Sequence, residues 1–210
     1  MPTTDPRARD RPHRKISSRG QHRRQLLLDA AAELVMESGF AAVSHRSVAG
    51  RAKLPLSATT YYFTSLEELV SEAVSALVEG WLAGVRLVVA DCPPRIRGIS
   101  QVVDALLRVA AYVPAQGESA IRQRTLTLYE RYLEAARHPH LRPVIVRYDE
   151  QLDVLLAEVL RRGGLPHSPD TARLVLAVID GALVRALAEG APISSASEPL
   201  QDLLRSLASQ

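Results

Sequence analysis

Apolar residues recur at the three- and four-residue spacing of α-helices along most of the 210-residue chain, and no stretch shows the alternation of a strand. The first such stretch begins at Arg19. Its apolar positions are Leu27, Leu28, Ala31, Leu34 and Val35. Gly39 is placed to end the helix as a C-terminal cap. The pattern therefore predicts an all-α protein.

Two short helices are predicted next, followed by a long one. Ser44 is a good N-cap for a helix through about Ala52, and Lys53 and Leu54 then form a turn. Pro55 opens the following helix, where its missing N–H costs nothing. The arrangement of two short helices joined by a tight turn is that of a helix-turn-helix.

A long fourth helix begins after Ser65, because Ser65 and Glu68 have the spacing of a capping box. It runs to about Ala90, before Pro93-Pro94. Pro and Gly residues separate the stretches beyond it. The remaining helices are predicted over residues 97–113, 119–137, 141–162, 169–189 and 198–208. The fold class is therefore all-α with about nine helices.

The charge is distributed unevenly along the chain. Residues 1–24 contain eight Arg or Lys and two Asp, a net +6, whereas the rest carries 18 basic and 21 acidic residues, a net −3. Residues 1–18 form a basic arm, rich in Pro and charge, that we expect to be disordered. A helix-turn-helix domain is predicted over residues 19–66 and a larger helical domain over 67–210. A positive field at one end favours contact with nucleic-acid phosphates.

Cys92 is the only cysteine, so no intramolecular disulfide can form. The N-terminus lacks the apolar core of a signal peptide. No continuous run approaches the roughly 18 apolar residues of a membrane span. These features predict a cytoplasmic protein with no membrane partner.

The segment between Ser44 and Phe63 is the predicted DNA-reading surface. In a helix-turn-helix the second helix lies in the major groove and the first crosses the backbone. Hydroxyl groups and a Leu side chain can contact base edges and thymine methyl groups, and basic residues can contact phosphates. The candidate DNA-binding residues are Arg19, Arg23, Ser44, Arg46, Pro55, Leu56, Ser57, Thr59, Thr60, Tyr61 and Tyr62. Arg14, Lys15 and Arg24 are further candidates for phosphate contacts. Spacing alone leaves open that the two helices form only a packing corner.

The N-terminal third resembles the TetR family of transcriptional regulators. The family pattern ILDAA-x-ELF-x-x-x-GF is similar to LLDAAAELVMESGF, from Leu27 to Phe40, and T-V-R-D-I-A-x-x-A-G-V to SHRSVAGRAKL. PLSATTYYF is similar to the family's recognition helix, S-x-G-x-x-Y-x-H/Y-F, and the TSLEEL that follows is similar to the family's x-x-K-E-x-L. Three positions depart from the pattern: Lys53 replaces the turn Gly, Ser57 a Gly within the recognition helix, and Leu66 a phosphate-binding Lys. Lys53 is therefore expected to adopt a positive φ, which costs about 1 kcal/mol for a residue with a Cβ.

The resemblance implies a helical C-terminal domain that holds a ligand pocket and contributes two helices to a dimeric four-helix bundle. The segment from Leu174 to Gly190 resembles the dimerisation helix. Its apolar positions also cover more than half of its circumference, which independently favours a partner. The alternative is that it is the central helix of the monomer. The candidate interface residues are Leu174, Val178, Gly181, Ala182, Arg185, Leu203 and Leu207.

Aromatic and polar residues within the apolar helices are candidates for the effector site. They are Trp81, Val85, Tyr112, Leu126, Tyr129, Tyr132, Leu133, Tyr148 and Leu152. Tyr129 and Tyr132 are three residues apart and are expected to share a helix face with Leu126 and Leu133. For each aromatic residue, a simple packing role is an equally good interpretation.

No catalytic or cofactor-binding motif is present. Glu134, His138 and His140 have some metal-ligand chemistry, but a solvated helix end is the better interpretation, so no metal and no cofactor are predicted. The sequence predicts a homodimeric repressor, not an enzyme, that binds a palindromic operator and is released by a small-molecule effector. The alternative is a helical protein–protein adaptor with an electrostatic basic tail.

Overall fold

The computed structural model describes residues 18–111 and 118–209, and within these ranges it contains nine α-helices and no strand. Most of the basic arm, as well as Tyr112, therefore lies outside the described residues. The helices are α1 Ser18–Ser38, α2 His45–Arg51, α3 Leu56–Tyr62, α4 Leu66–Asp91, α5 Ile99–Ala110, α6 Glu118–Arg137, α7 Arg142–Arg162, α8 Pro169–Glu189 and α9 Ser197–Ala208. The all-α prediction is confirmed.

Local signals set most of the helix boundaries. Gly39 follows the end of α1 with a φ of 76°, a backbone region that favours glycine. Helix α5 is shorter than predicted at its start, because Gly98 has a φ of 87° and α5 begins only at Ile99. Pro55 is the N-cap of α3 rather than its first residue, and its ψ of 146° is not helical.

Helices α1, α2 and α3 form the N-terminal head. Its core contains Leu27, Ala31, Val48 and Phe63, all of them buried. Helix α1 packs on both α2 and α4, and α2 packs on α3. Helix α3 is thus supported on one side by α2, and its remaining surface is exposed.

Helix α4 connects the head to the larger domain. It packs against α1 at the head and against α5 and α7 in the C-terminal domain. By length and composition α4 is a candidate membrane span, because it contains an 18-residue stretch of mean hydropathy 1.6. This finding corrects the expectation that no part of the chain approaches the length and hydropathy of a membrane span. Its apolar face, which includes Leu69, Leu82 and Val85, is buried among the other helices, as in the core helix of a globular domain.

The C-terminal domain is fastened to the far end of α4 by Arg162. The Arg162 guanidinium donates to the carbonyl oxygens of Val89 at 2.8 Å and Cys92 at 2.7 Å, at the C-terminal end of α4. Glu158 accepts a hydrogen bond from Arg162 Nε at 2.7 Å and orients it. Arg161 and Arg162 together lower the pKa of Glu158 to about 2.

Candidate nucleic-acid interface and effector region

The first helix of the helix-turn-helix begins with a reciprocal cap. Ser44 Oγ accepts from the Ser47 N–H at 3.1 Å, and Ser47 Oγ accepts from the Ser44 N–H at 2.8 Å. Ser44 is therefore the N-cap that the sequence predicts. Ser44 is exposed, but both its N–H and its hydroxyl are engaged with Ser47 within the cap.

The turn between α2 and α3 is a Schellman motif with lysine in the glycine position. The Leu54 N–H donates to the Ala49 carbonyl at 3.0 Å, and the Lys53 N–H donates to the Gly50 carbonyl at 3.2 Å. Lys53 has a φ of 53°, which confirms the positive φ predicted from the sequence. Its side chain is exposed. Lys53 was absent from the candidate contacts, although a lysine where glycine is preferred was the signal that could have identified it.

Helix α3 presents a polar, uncharged surface. Leu56, Ser57, Thr60 and Tyr61 are exposed, and Tyr61 has 69% of its surface accessible. The Tyr61 and Tyr62 rings meet edge to face at 4.8 Å, and Tyr62 is half-buried. This surface offers hydroxyl groups and apolar groups that suit base edges.

Thr59 does not belong to this surface. It is fully buried, and its hydroxyl donates to the Leu56 carbonyl at 2.8 Å. The prediction that Thr59 points toward DNA is therefore wrong: its position on α3 faces the core of the head. Thr59 acts instead as a packing residue whose polar atom is satisfied within its own helix.

The basic residues of the head fall into two groups. Arg19, Arg23 and Arg46 are exposed, and none forms an ion pair with another described residue. Arg51 binds Glu33 at 3.2 Å and Glu37 at 2.7 Å, and this pairing raises the pKa of Arg51. Arg51 is thus held on the side of α1.

The Arg24 side chain is also engaged in contacts within the protein. One of its guanidinium nitrogens, Nη2, pairs with both carboxylate oxygens of Glu72 of α4, and the guanidinium lies over the Phe63 ring. Its candidacy as a phosphate contact is therefore wrong. The uncommitted cations of the first group, together with the exposed Lys53, are the ones that the head offers to a polyanion.

The start of α4 has the predicted N-cap, with one difference. Ser65 Oγ accepts from the Glu68 N–H at 3.1 Å. The Glu68 carboxylate accepts from the N–H and the hydroxyl of Thr64, both at 2.6 Å, and these bonds lower the pKa of Glu68. The Glu68 side chain thus reaches back to Thr64, one residue further than a capping box requires. Leu66 is half-buried and forms no phosphate contact site.

Two tyrosine–aspartate pairs connect α6 to its neighbours in the C-terminal domain. Tyr129 donates to the Asp180 carboxylate of α8 at 3.0 Å, and Tyr132 donates to the Asp149 carboxylate of α7. The two rings are 6.5 Å apart. All four residues are half-buried, so two carboxylates and two aromatic rings lie together between α6, α7 and α8.

The other candidate effector residues are divided between interior and surface. Val85, Tyr148 and Leu152 are buried and Trp81 is half-buried. Leu126 and Leu133, which were expected to share a helix face with the two tyrosines, are exposed, whereas the tyrosines are half-buried. Helix α6 turns its aromatic residues inward and these two leucines outward.

A separate cavity of about 390 Å³ lies between the head and the C-terminal domain. Phe40, Val43, Leu66 and Val70 line one side. Glu134, His138, His140 and Leu141 line the other. None of the candidate effector residues contributes to it. His138 lies 3.2 Å from Glu134, which also accepts from Arg137. In the described ranges no group of three or more His, Cys, Asp and Glu side chains is arranged to hold a metal ion.

Helix α8 has a buried and an exposed apolar side. Val175, Ile179, Leu183 and Ala186 are buried in the domain. On the other side Leu174 and Val184 are each 47% exposed, and Gly181 is exposed between them. Arg185 is exposed and pairs with Glu189 along the same helix. The remaining candidate interface residues, Val178, Ala182, Leu203 and Leu207, are half-buried.

A helix-turn-helix head with an uncharged reading helix, joined by one long helix to an all-α domain, defines a DNA-binding transcriptional regulator. Residues 27–73 match the model of the bacterial regulatory proteins of the tetR family, and residues 97–210 match that of the tetracyclin repressor-like C-terminal domain. The chain belongs to the TetR family. It is a ligand-responsive transcriptional regulator and not an enzyme.

Individual relatives cover most of the chain. The multidrug binding protein EbrR, solved with proflavin, is 32% identical, covers 88% of this chain and 99% of its own, and superimposes with a TM-score of 0.66. The nicotine-responsive transcriptional repressor HdnoR of Paenarthrobacter nicotinovorans is 28% identical over 80% of this chain and 84% of its own. The transcriptional regulator BetI of Agrobacterium fabrum is 27% identical over 84% of this chain and 82% of its own.

Proposed function

We propose that the protein is a cytoplasmic homodimeric repressor that binds a palindromic operator and is released by an organic cation. The observation that carries the DNA-binding part is the exposed, uncharged surface of α3, with Leu56, Ser57, Thr60 and Tyr61 available for base contacts. Arg19 and Arg23 of α1 and Arg46 of α2 are exposed cations of the same head, and they can position this surface on the phosphates.

The exposed apolar side of α8 supports the dimer. Leu174, Gly181 and Val184 leave an apolar face without a neighbour in the described part of the chain. A side chain added at Gly181 meets nothing within 4 Å, so another helix can approach closely there. Two heads held at a fixed separation then match two half-sites related by two-fold symmetry.

The Tyr–Asp pairs favour a cationic effector. Two half-buried carboxylates, on Asp149 and Asp180, lie beside the rings of Tyr129 and Tyr132. Aromatic faces and carboxylates both attract a positive charge, most strongly where water is excluded. The solved complexes of EbrR include three organic cations, proflavin, ethidium and malachite green, and also imidazole.

The release mechanism follows from the position of α4. This helix packs on α1 in the head and on α7, which carries Asp149, in the C-terminal domain. An effector that shifts α7 therefore tilts α4, and the opposite end of α4 holds the head. Because operator geometry fixes the separation of the half-sites, a tilt of α4 weakens the contacts of both heads together. By linkage, operator DNA weakens effector binding by the same factor.

The experiment that tests this function is selection of bound fragments from genomic DNA at physiological salt, followed by sequencing. Enrichment of one or a few palindromic fragments supports the proposal. Uniform, salt-sensitive retention of all fragments would contradict sequence-specific regulation and favour the adaptor. The selected operator then serves in a release assay with proflavin, in which an operator affinity unaffected by saturating proflavin rules out this cation as the effector.

A matched pair of variants tests the effector site. Asp180→Asn removes a carboxylate charge beside Tyr129, and we expect proflavin to bind roughly tenfold more weakly by fluorescence titration. Asp104→Asn, on the exposed surface of α5, is the control that changes net charge equally. Equal loss in both variants, or no loss in Asp180→Asn, would contradict the assignment.

A further inference from the structure

Lys53 combines a strained backbone with an uncommitted charge at the edge of the DNA-reading surface. Its φ is 53°, and every other residue with positive φ in the described part of the chain is a glycine. The Lys53 side chain is exposed. A side chain maintained in a disfavoured backbone region points to a function that offsets the strain.

The turn itself does not need this side chain. Its two hydrogen bonds, from Lys53 N–H to the Gly50 carbonyl and from Leu54 N–H to the Ala49 carbonyl, use main-chain atoms alone. A glycine would make the same bonds without the steric conflict of a Cβ. What a glycine cannot supply is the ammonium group.

The charge of Lys53 matters because the neighbouring elements have little to offer a phosphate. Helix α3 contains no charged residue. Of the three Lys and Arg residues between positions 44 and 66, Arg51 is held by Glu33 and Glu37. Only Arg46 and Lys53 are left without an ion pair to the residues that the structure describes. At the start of α4, position 66 is an apolar leucine.

The position of Lys53 suits this role. It lies three residues before Leu56, the first residue of α3. In helix-turn-helix proteins the N-terminal residues of the recognition helix meet the base edges, so a long side chain just before them lies beside the phosphates that flank the groove. We propose that Lys53 binds an operator phosphate in each protomer and replaces the contacts that Arg51 and Leu66 do not make. This inference rests on the proposed DNA-binding function.

The test is Lys53→Gly in the full-length dimer, with operator affinity measured across a series of salt concentrations. Loss of one phosphate contact per protomer flattens the plot of log affinity against log salt by about 0.9 for each contact, or about 1.8 for a dimer. We expect operator affinity to fall roughly tenfold at physiological salt. The thermal midpoint should rise, because the backbone strain is relieved. If Lys53 had only a structural role, the Lys53→Gly variant could not combine weaker operator binding with a higher thermal midpoint.

Three further variants separate charge from strain. Lys53→Arg keeps the charge and should retain the operator affinity and the salt slope. Lys53→Asn tolerates the left-handed region and lacks the charge, so it should behave like Lys53→Gly. Arg97→Gln removes an exposed cation beyond the far end of α4, a helix roughly 39 Å long, and should leave the slope unchanged. An unchanged slope in Lys53→Gly, or an equal change in Arg97→Gln, would overturn the proposal.

Failure of the proposed function is distinguishable from failure of this contact. If the wild-type protein selects no operator, the sequence-specific function fails. The salt slope on a random-sequence duplex still tests Lys53, because phosphate contacts also act in non-specific binding. If the wild-type protein binds an operator and Lys53→Gly binds it identically, only the Lys53 contact is refuted.

Discussion

The guanidinium of Arg24 lies 4.8 Å above the centre of the Phe63 ring, so α1 is tied to the residue that ends the recognition helix. A single nitrogen of the same guanidinium, Nη2, pairs with both carboxylate oxygens of Glu72 on α4. One side chain thereby joins the helix behind the reading surface, the end of α3 and the helix that enters the C-terminal domain. Displacement of α4 has a direct physical connection to α3 through this contact.

Replacement of Arg24 by Ala should lower the free energy of unfolding by about 1 kcal/mol, because a cation–π contact and a partly exposed ion pair are both lost. Operator affinity should fall with it, since the orientation of α3 is less well fixed. Urea unfolding and operator titration measure the two effects. Arg23→Ala is the matched control. Arg23 is exposed, so this variant should weaken DNA binding without changing the unfolding midpoint.

Thr59 and Thr60 are adjacent on α3 but should behave differently. Thr59→Val keeps the shape of a buried side chain and removes a hydroxyl that bonds only within its helix, so we expect unchanged operator affinity and stability within about 1 kcal/mol. Thr60→Ala removes an exposed hydroxyl and should lower operator affinity roughly fivefold or more without lowering the thermal midpoint. Weaker DNA binding by Thr59→Val alone would refute this orientation of α3.

Gly181→Glu should convert the dimer to a monomer. The new carboxylate has room in the monomer, since nothing lies within 4 Å of its Cβ, but it introduces a charge into the exposed apolar face of α8. Light scattering should then give the mass of one chain, 22.9 kDa. Val154→Glu, at a 68% exposed position of α7, is the control and should remain dimeric. A wild-type protein that is monomeric at micromolar concentration would refute the proposed homodimer.

Acid should loosen the contact between α7 and the end of α4. Arg161 and Arg162 lower the pKa of Glu158 to about 2, below its value in the unfolded chain. A depressed folded-state pKa stabilises the protein above the unfolded value of roughly 4.3, and this stabilisation is lost as the pH falls toward 2. The effect should be about 1 kcal/mol, because the pair is partly exposed to solvent. Glu158→Gln should remove this part of the pH dependence, and an unaltered acid transition would contradict it.

Deletion of residues 1–17 should flatten the salt dependence of DNA binding, because the deleted segment carries five basic residues and two acidic ones. The deletion leaves α1 intact, so the thermal midpoint should not change. Affinity measured on the operator and on a random duplex should fall by similar factors, since phosphate contacts carry no sequence information. An identical salt slope before and after deletion would show that the segment does not contact DNA.

The sequence by itself determined the helices and the family. The caps at Ser44 and Ser65, the end of α1 at Gly39 and the positive φ of Lys53 could all be predicted, because each depends on residues within about one helical turn. The apolar spacing of the remaining helices is equally local. Order and spacing of these elements were sufficient for the helix-turn-helix and for its resemblance to the TetR family.

The tertiary structure decided which side chains the head can use. Thr59 is buried although Thr60 beside it is exposed, because the packing of α3 against α2 selects the inward positions. Arg24 and Arg51 are held by carboxylates 48 and 14 to 18 residues away along the sequence, and the Tyr129–Asp180 pair spans 51 residues. Helix packing alone creates such contacts. A sequence pattern records the chemistry of a side chain, whereas its partner depends on where the rest of the chain has folded.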